Sequence, residues 1–100
     1  MTFQRMKRTY PTDYNHALRL NAKSSKTYSN RGAVYNDLKE YLKAINDCNK
    51  AINLDPKLSG AYFHRGLAYA KLGNPQKALA DYNKAINLNP YDADAYLQRG

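Results

Sequence analysis

One hundred residues make a single small domain in which core burial is marginal for a globule, and sixteen Lys and Arg against eight Asp and Glu leave a net charge of +8. One cysteine excludes an internal disulfide, and no run approaches the roughly 18 apolar residues of a membrane span. No apolar stretch follows the basic start to make a signal peptide, so the cytoplasm is the expected location.

In chain order, residues 1–9 read as a solvated basic tail through Arg5, Lys7 and Arg8, and residues 1–24 carry five bases against one acid. Pro11 marks the start of a first helix with Thr12 as its cap, which leaves the residues before about 10 non-helical. That helix presents Tyr14, Ala17 and Leu20 on one side. Residues 25–58 and 59–92 each read as two antiparallel helices, A and B. In the second pair, helix A is expected from about Gly60 to Leu72 with Ser59 as N-cap. Tyr62, Gly66 and Tyr69 then share a stripe at spacings of four and three. Leu72-Gly73-Asn74-Pro75 is a strong turn: Gly73 takes the left-handed conformation, Asn74 caps helix B and Pro75 fits its first turn. Helix B runs to about Leu88 with Ala78, Tyr82 and Ala85 toward helix A. In the first pair Lys39 stands where Gly73 stands, a substitution that costs on the order of 1 kcal/mol in a left-handed conformation. Residues 93–100 open a further helix A.

The chain repeats itself with a period of 34. Laid over 59–92 without a gap, 25–58 matches at sixteen of thirty-four positions. Aromatics fill the fourth and eleventh places (Tyr28 and Tyr62, Tyr35 and Tyr69). Small residues fill the eighth, twentieth and twenty-seventh: Gly32 and Gly66, Ala44 and Ala78, Ala51 and Ala85. The thirtieth holds Leu54 and Leu88, and the thirty-second holds Pro56 and Pro90. DYNHALRLNA at 13–22 aligns with DYNKAINLNP at 81–90, and Tyr96, Arg99 and Gly100 repeat Tyr62, Arg65 and Gly66. The pattern resembles the tetratricopeptide repeat (TPR). It divides the chain into a tail (1–9), a partial repeat holding only helix B (10–24), two full repeats (25–58 and 59–92) and a partial repeat (93–100).

The resemblance implies an all-α solenoid of antiparallel helix pairs, wound as a right-handed superhelix, and a non-catalytic scaffold that binds a protein or peptide. In this family the A helices line the concave face. Their inward places hold Lys26, Ser29, Ala33, Asn36 and Asp37 in one repeat. In the next they hold Gly60, Phe63, Leu67, Ala70 and Lys71, followed by Asp94 and Leu97. The groove passes from polar to apolar. Phe63, Leu67 and Leu97 are the expected apolar contacts, with Asn36, His64 and Lys71 as polar ones. Some TPR proteins clamp a C-terminal carboxylate with Lys, Asn and Arg at set places. Asn30 matches the middle Asn, but Gly60 and His64 stand where Lys and Arg are wanted, so chaperone C-termini are not expected ligands.

No catalytic constellation, metal spacing or phosphate loop occurs, and neither an enzyme nor a cofactor is expected. His16 and His64 lie on helices of different type in different repeats. Cys48 takes the place of Tyr82, a core position, and reads as a buried small hydrophobe. Arg31, Arg65 and Arg99 recur at the seventh place, and Asp13, Asp47 and Asp81 at the twenty-third. Pairing within a repeat joins Arg31 to Asp47 and Arg65 to Asp81; pairing at a separation of 18 gives three pairs. Unpaired, the Arg row would be a basic stripe for nucleic acid or another anionic partner. Against nucleic acid, Tyr28, Tyr35, Tyr62, Tyr69, Tyr82 and Tyr96 stand at core places and cannot stack on bases. Self-association is a further expectation, through docking of the incomplete ends, head to tail or like on like.

Overall fold

The computed structural model describes residues 24–90, which form four helices: α1 (Ser25–Asp37), α2 (Tyr41–Leu54), α3 (Ser59–Lys71) and α4 (Pro75–Leu88). Three-residue turns fold α1 on α2 and α3 on α4, and α3 packs against both helices of the first pair. No strand occurs among the described residues. The expectations for residues 1–23 and 91–100, including Leu97 and the incomplete ends, lie outside this range.

The helix crossings explain the small residues. Ala44, Ala51 and Ala85 are fully buried and Ala78 nearly so. A Cβ on Gly32 would lie 2.8 Å from Cys48 Sγ and 3.3 Å from the Ala44 carbonyl oxygen. One on Gly66 would lie 2.8 Å from the Tyr82 ring and 3.2 Å from the Ala78 carbonyl. The backbones approach too closely there for any side chain without a shift. Tyr62, Ala85 and Ile86 form a buried cluster, with Ile52, Phe63 and Leu88 packed on it. Tyr28, Tyr35 and Tyr69 are half-buried, while Pro56 and Pro90 are exposed where each repeat ends.

Both A–B turns share one backbone. Lys39 has φ 62° and Gly73 φ 80°. The Lys39 N–H bonds the Asn36 carbonyl at 3.0 Å and the Glu40 N–H bonds Tyr35 at 2.8 Å; Gly73 to Ala70 (3.1 Å) and Asn74 to Tyr69 (2.9 Å) reproduce the pattern. This double bond closes a helix through a left-handed residue. The chemistry around it differs. Asn74 Oδ1 accepts from the Lys77 N–H at 3.3 Å and Pro75 opens α4, whereas Glu40 makes no side-chain cap for α2. Ser24, at the head of α1, accepts from the Thr27 N–H at 3.2 Å.

Ser59 is not the N-cap of α3; it is the first helical residue, and Leu58 holds the cap position without a side-chain bond. The cause is the link between repeats. The Leu58 N–H bonds the Asp55 carbonyl at 3.2 Å and the Ala61 N–H bonds the Leu58 carbonyl at 3.1 Å, so the turn winds into the helix one residue early.

Candidate functional site

The A helices α1 and α3 lie side by side and carry the residues expected to line a groove. At the apolar end Phe63 is half-buried. Its ring meets His64 edge-on at 5.5 Å and Tyr82 at 6.0 Å between centroids. Leu67 is half-buried one turn along, and Lys71 is exposed. At the polar end Lys26, Asn30 and Asp37 are exposed, while Ser29 is buried against Gly60.

Asn36 and His64 are brought together across the seam between repeats. Asn36 Nδ2 donates to the His64 backbone carbonyl at 2.9 Å, and its Oδ1 is buried without a hydrogen-bond partner. The side chain therefore ties α1 to α3. Two further bonds cross the same seam: Tyr62 Oη donates to the Pro56 carbonyl at 2.9 Å, and Arg65 Nη1 to Asn49 Oδ1 at 2.8 Å.

The Arg row resolves in favour of pairing within each repeat. Arg31 Nε and Nη2 donate to the two carboxylate oxygens of Asp47 at 2.6 and 2.8 Å. Arg65 grips Asp81 the same way at 2.9 and 2.8 Å. Both carboxylates are buried. The hydrogen bond to its Asp is the largest influence on each guanidinium and raises its pKa above the ordinary arginine value, against the opposing effect of burial. A forked, charge-assisted contact suits a side chain that must bridge two helices and stay ionised. A separation of 16, rather than 18, wins because the seventh place of a helix A faces its own helix B.

Sequence reasoning missed a second recurring contact. Lys43 and Lys77 lie 5.7 and 5.3 Å over the rings of Tyr35 and Tyr69. Lys50 and Lys84 lie 5.6 and 5.9 Å over Tyr28 and Tyr62. These cation–π pairs repeat with the period. The signal was in the alignment, since both lysine places and both tyrosine places are shared by the two copies.

Cys48 is fully buried, and burial, followed by the neighbouring Asp47 charge, pushes its thiol up to about 12. It stays protonated at neutral pH and is chemically quiet. Among the described residues no group of three His, Cys, Asp or Glu could hold a metal ion, and no helix is long and apolar enough to cross a membrane.

Stacked helix hairpins, glycine and alanine at the crossings and a left-handed A–B turn define a class of protein, the helical-hairpin solenoid. Residues 25–58 and 59–92 each match the model of the tetratricopeptide repeat, and the chain belongs to that family. Its members are protein–protein interaction modules, generally without catalytic activity. No curated protein matches the chain significantly. Among solved structures it resembles the Arabidopsis OM64 TPR domain, at 34% identity and a TM-score of 0.82, covering 86% of this chain and 71% of that one. The first TPR of Spaghetti (RPAP3), bound to the HSP90 peptide SRMEEVD, is 28% identical with a TM-score of 0.81, covering 86% and 68%. The second TPR domain of human RPAP3, in complex with the HSP70 peptide SGPTIEEVD, is 28% identical with a TM-score of 0.78, covering 86% and 72%.

Proposed function

We propose that this chain is a binding scaffold that holds a segment of a partner protein in the groove lined by α1 and α3, with Phe63 and Leu67 as the apolar anchors. The observation that carries the reading is the fold likeness to two TPR domains solved with a bound peptide. Both of those peptides end in acidic residues, and this groove has different chemistry. Gly60 and His64 occupy the places where a carboxylate clamp wants Lys and Arg, so recognition rests on an apolar side chain packed beside Phe63. His64 and Lys71 supply polar contacts, and Asn36 acts as a strut that fixes the His64 backbone.

The test is an unbiased peptide-display selection on the full chain, with every selected peptide remeasured on Phe63→Ala. Truncating a central anchor is expected to cost about 1–3 kcal/mol of binding. Undiminished affinity for every peptide, with the helical content intact, would overturn the groove reading.

A further inference from the structure

Residues 39–42 and 73–76 hold equivalent places and share one turn backbone, yet no residue is common to them: Lys39, Glu40, Tyr41 and Leu42 stand against Gly73, Asn74, Pro75 and Gln76. Each exchange works against the local structure. Lys39 carries a Cβ into the left-handed region at φ 62°. Glu40 makes no cap bond where Asn74 makes one, and Tyr41 replaces a proline suited to the first turn of a helix. Leu42 is 74% exposed where the second repeat has a glutamine. These four residues, with Lys43 and Leu72, line one concave notch of about 330 Å³ at the turn edge of the stack. Three of these departures weaken the turn, the fourth exposes an apolar side chain, and all four line one concavity.

The notch has a specific chemistry. Tyr41, Leu42 and Leu72 give it an apolar wall, and its volume is at the lower end of ligand pockets. Its rim carries two lysines and one glutamate: Lys43 is exposed and pairs with Glu40 at 2.8 Å, while Lys39 is exposed with no carboxylate of the described residues in ion-pair range, which leaves one positive charge over. We infer that this notch docks a partner segment in which a pair of large apolar side chains is flanked by carboxylates. The apolar pair seats against Leu42 and Leu72, and the carboxylates meet Lys39 and Lys43. The site stands apart from the groove of α1 and α3 and does not depend on it.

The experiment is fluorescence anisotropy of the full chain with a labelled hexapeptide: two aspartates, leucine, phenylalanine, two aspartates. Saturable binding is expected, lost when the two apolar residues become serine or the four aspartates become lysine. Leu42→Gln, which installs the residue of the second repeat, should weaken binding about fivefold. Lys39→Gly should weaken it about threefold while raising the midpoint of urea unfolding, a combination that loss of structure cannot produce. Absence of binding, or unchanged affinity in both variants, overturns the inference. So does equal binding of the serine peptide, which would show plain attraction of any polyanion, nucleic acid included. A loss on Phe63→Ala without one on Leu42→Gln also overturns it, because the peptide would then sit in the concave groove.

Discussion

The two repeats reach one backbone by different means, and the difference falls in a few places. At the crossings they agree: glycine on helix A, alanines on helix B, an Arg gripping a buried Asp. At the A–B turn they agree in φ and in hydrogen bonds but not in a single residue from 39 to 42. At the twenty-fourth place one has a thiol and the other a phenol. Packing positions therefore dictate the helix pair, and the turn follows them even when its residues resist. The first turn is free to serve another purpose because α1 and α2 are held together elsewhere.

The crossing should give the largest effect. Gly66→Leu is expected to cost about 3 kcal/mol, because the new side chain meets the rigid Tyr82 ring, and Gly32→Leu less, because it meets a small thiol first. Chemical denaturation of the two variants measures the difference, and adding Tyr82→Cys should return part of the Gly66→Leu loss. Equal costs would mean that the ring yields as easily as the thiol.

Asp47→Ala should cost about 2–3 kcal/mol by taking away the buried carboxylate that the Arg31 guanidinium grips. Asp81→Ala should cost less, since its side chain is 7% exposed against 1%. Urea midpoints of the two variants decide it, and the reverse order would sink the argument from burial.

The twenty-fourth place separates the repeats by pH. Burial raises the Cys48 thiol to about 12, so the folded state keeps a proton that the unfolded chain releases from its ordinary value upward. Stability from this group is complete below the unfolded pKa and falls as pH rises toward 12, by at most about 1.4 kcal/mol per pH unit. Against Cys48→Ala, the parent should lose stability more steeply above pH 9, as read by thermal unfolding. Parallel curves would mean that the thiol reaches solvent. Tyr82 is raised in the same sense, first by burial and then by Asp81, so alkali strains both repeats.

The smallest effects are at the turns. Gly73→Lys should destabilise by about 1 kcal/mol, and Lys39→Gly should stabilise by somewhat less, because glycine also loosens the unfolded chain. Calorimetric midpoints shifting in opposite directions would bear this out. Two neutral variants would separate the shared φ from any shared strain.

The architecture was legible because the period is written in residues with single jobs. Gly73, Asn74 and Pro75 announce a turn by themselves, and Lys39 acquires its left-handed conformation only by alignment with Gly73. Ser59 misled because a cap depends on where the preceding turn leaves the chain, which side-chain type does not encode. The Arg–Asp separations of 16 and 18 are equally good arithmetic, and only the direction of a side chain chooses between them. That Phe63 and Leu67 lie one turn apart on a single helix was readable from their spacing. The bond from Asn36 to the His64 carbonyl was not, since a backbone acceptor leaves no mark in sequence.

Asn36, Tyr62 and Arg65 fasten the seam at different points: the Asn36 bond joins the two A helices, the Tyr62 bond reaches the loop between α2 and α3, and the Arg65 bond joins α3 to α2. Bending the joint away from any one of these bonds would stretch it beyond hydrogen-bond length. The two repeats are thus tied at three separate points along one joint. A partner lying across both A helices would meet them at a spacing that the Asn36 bond helps to set.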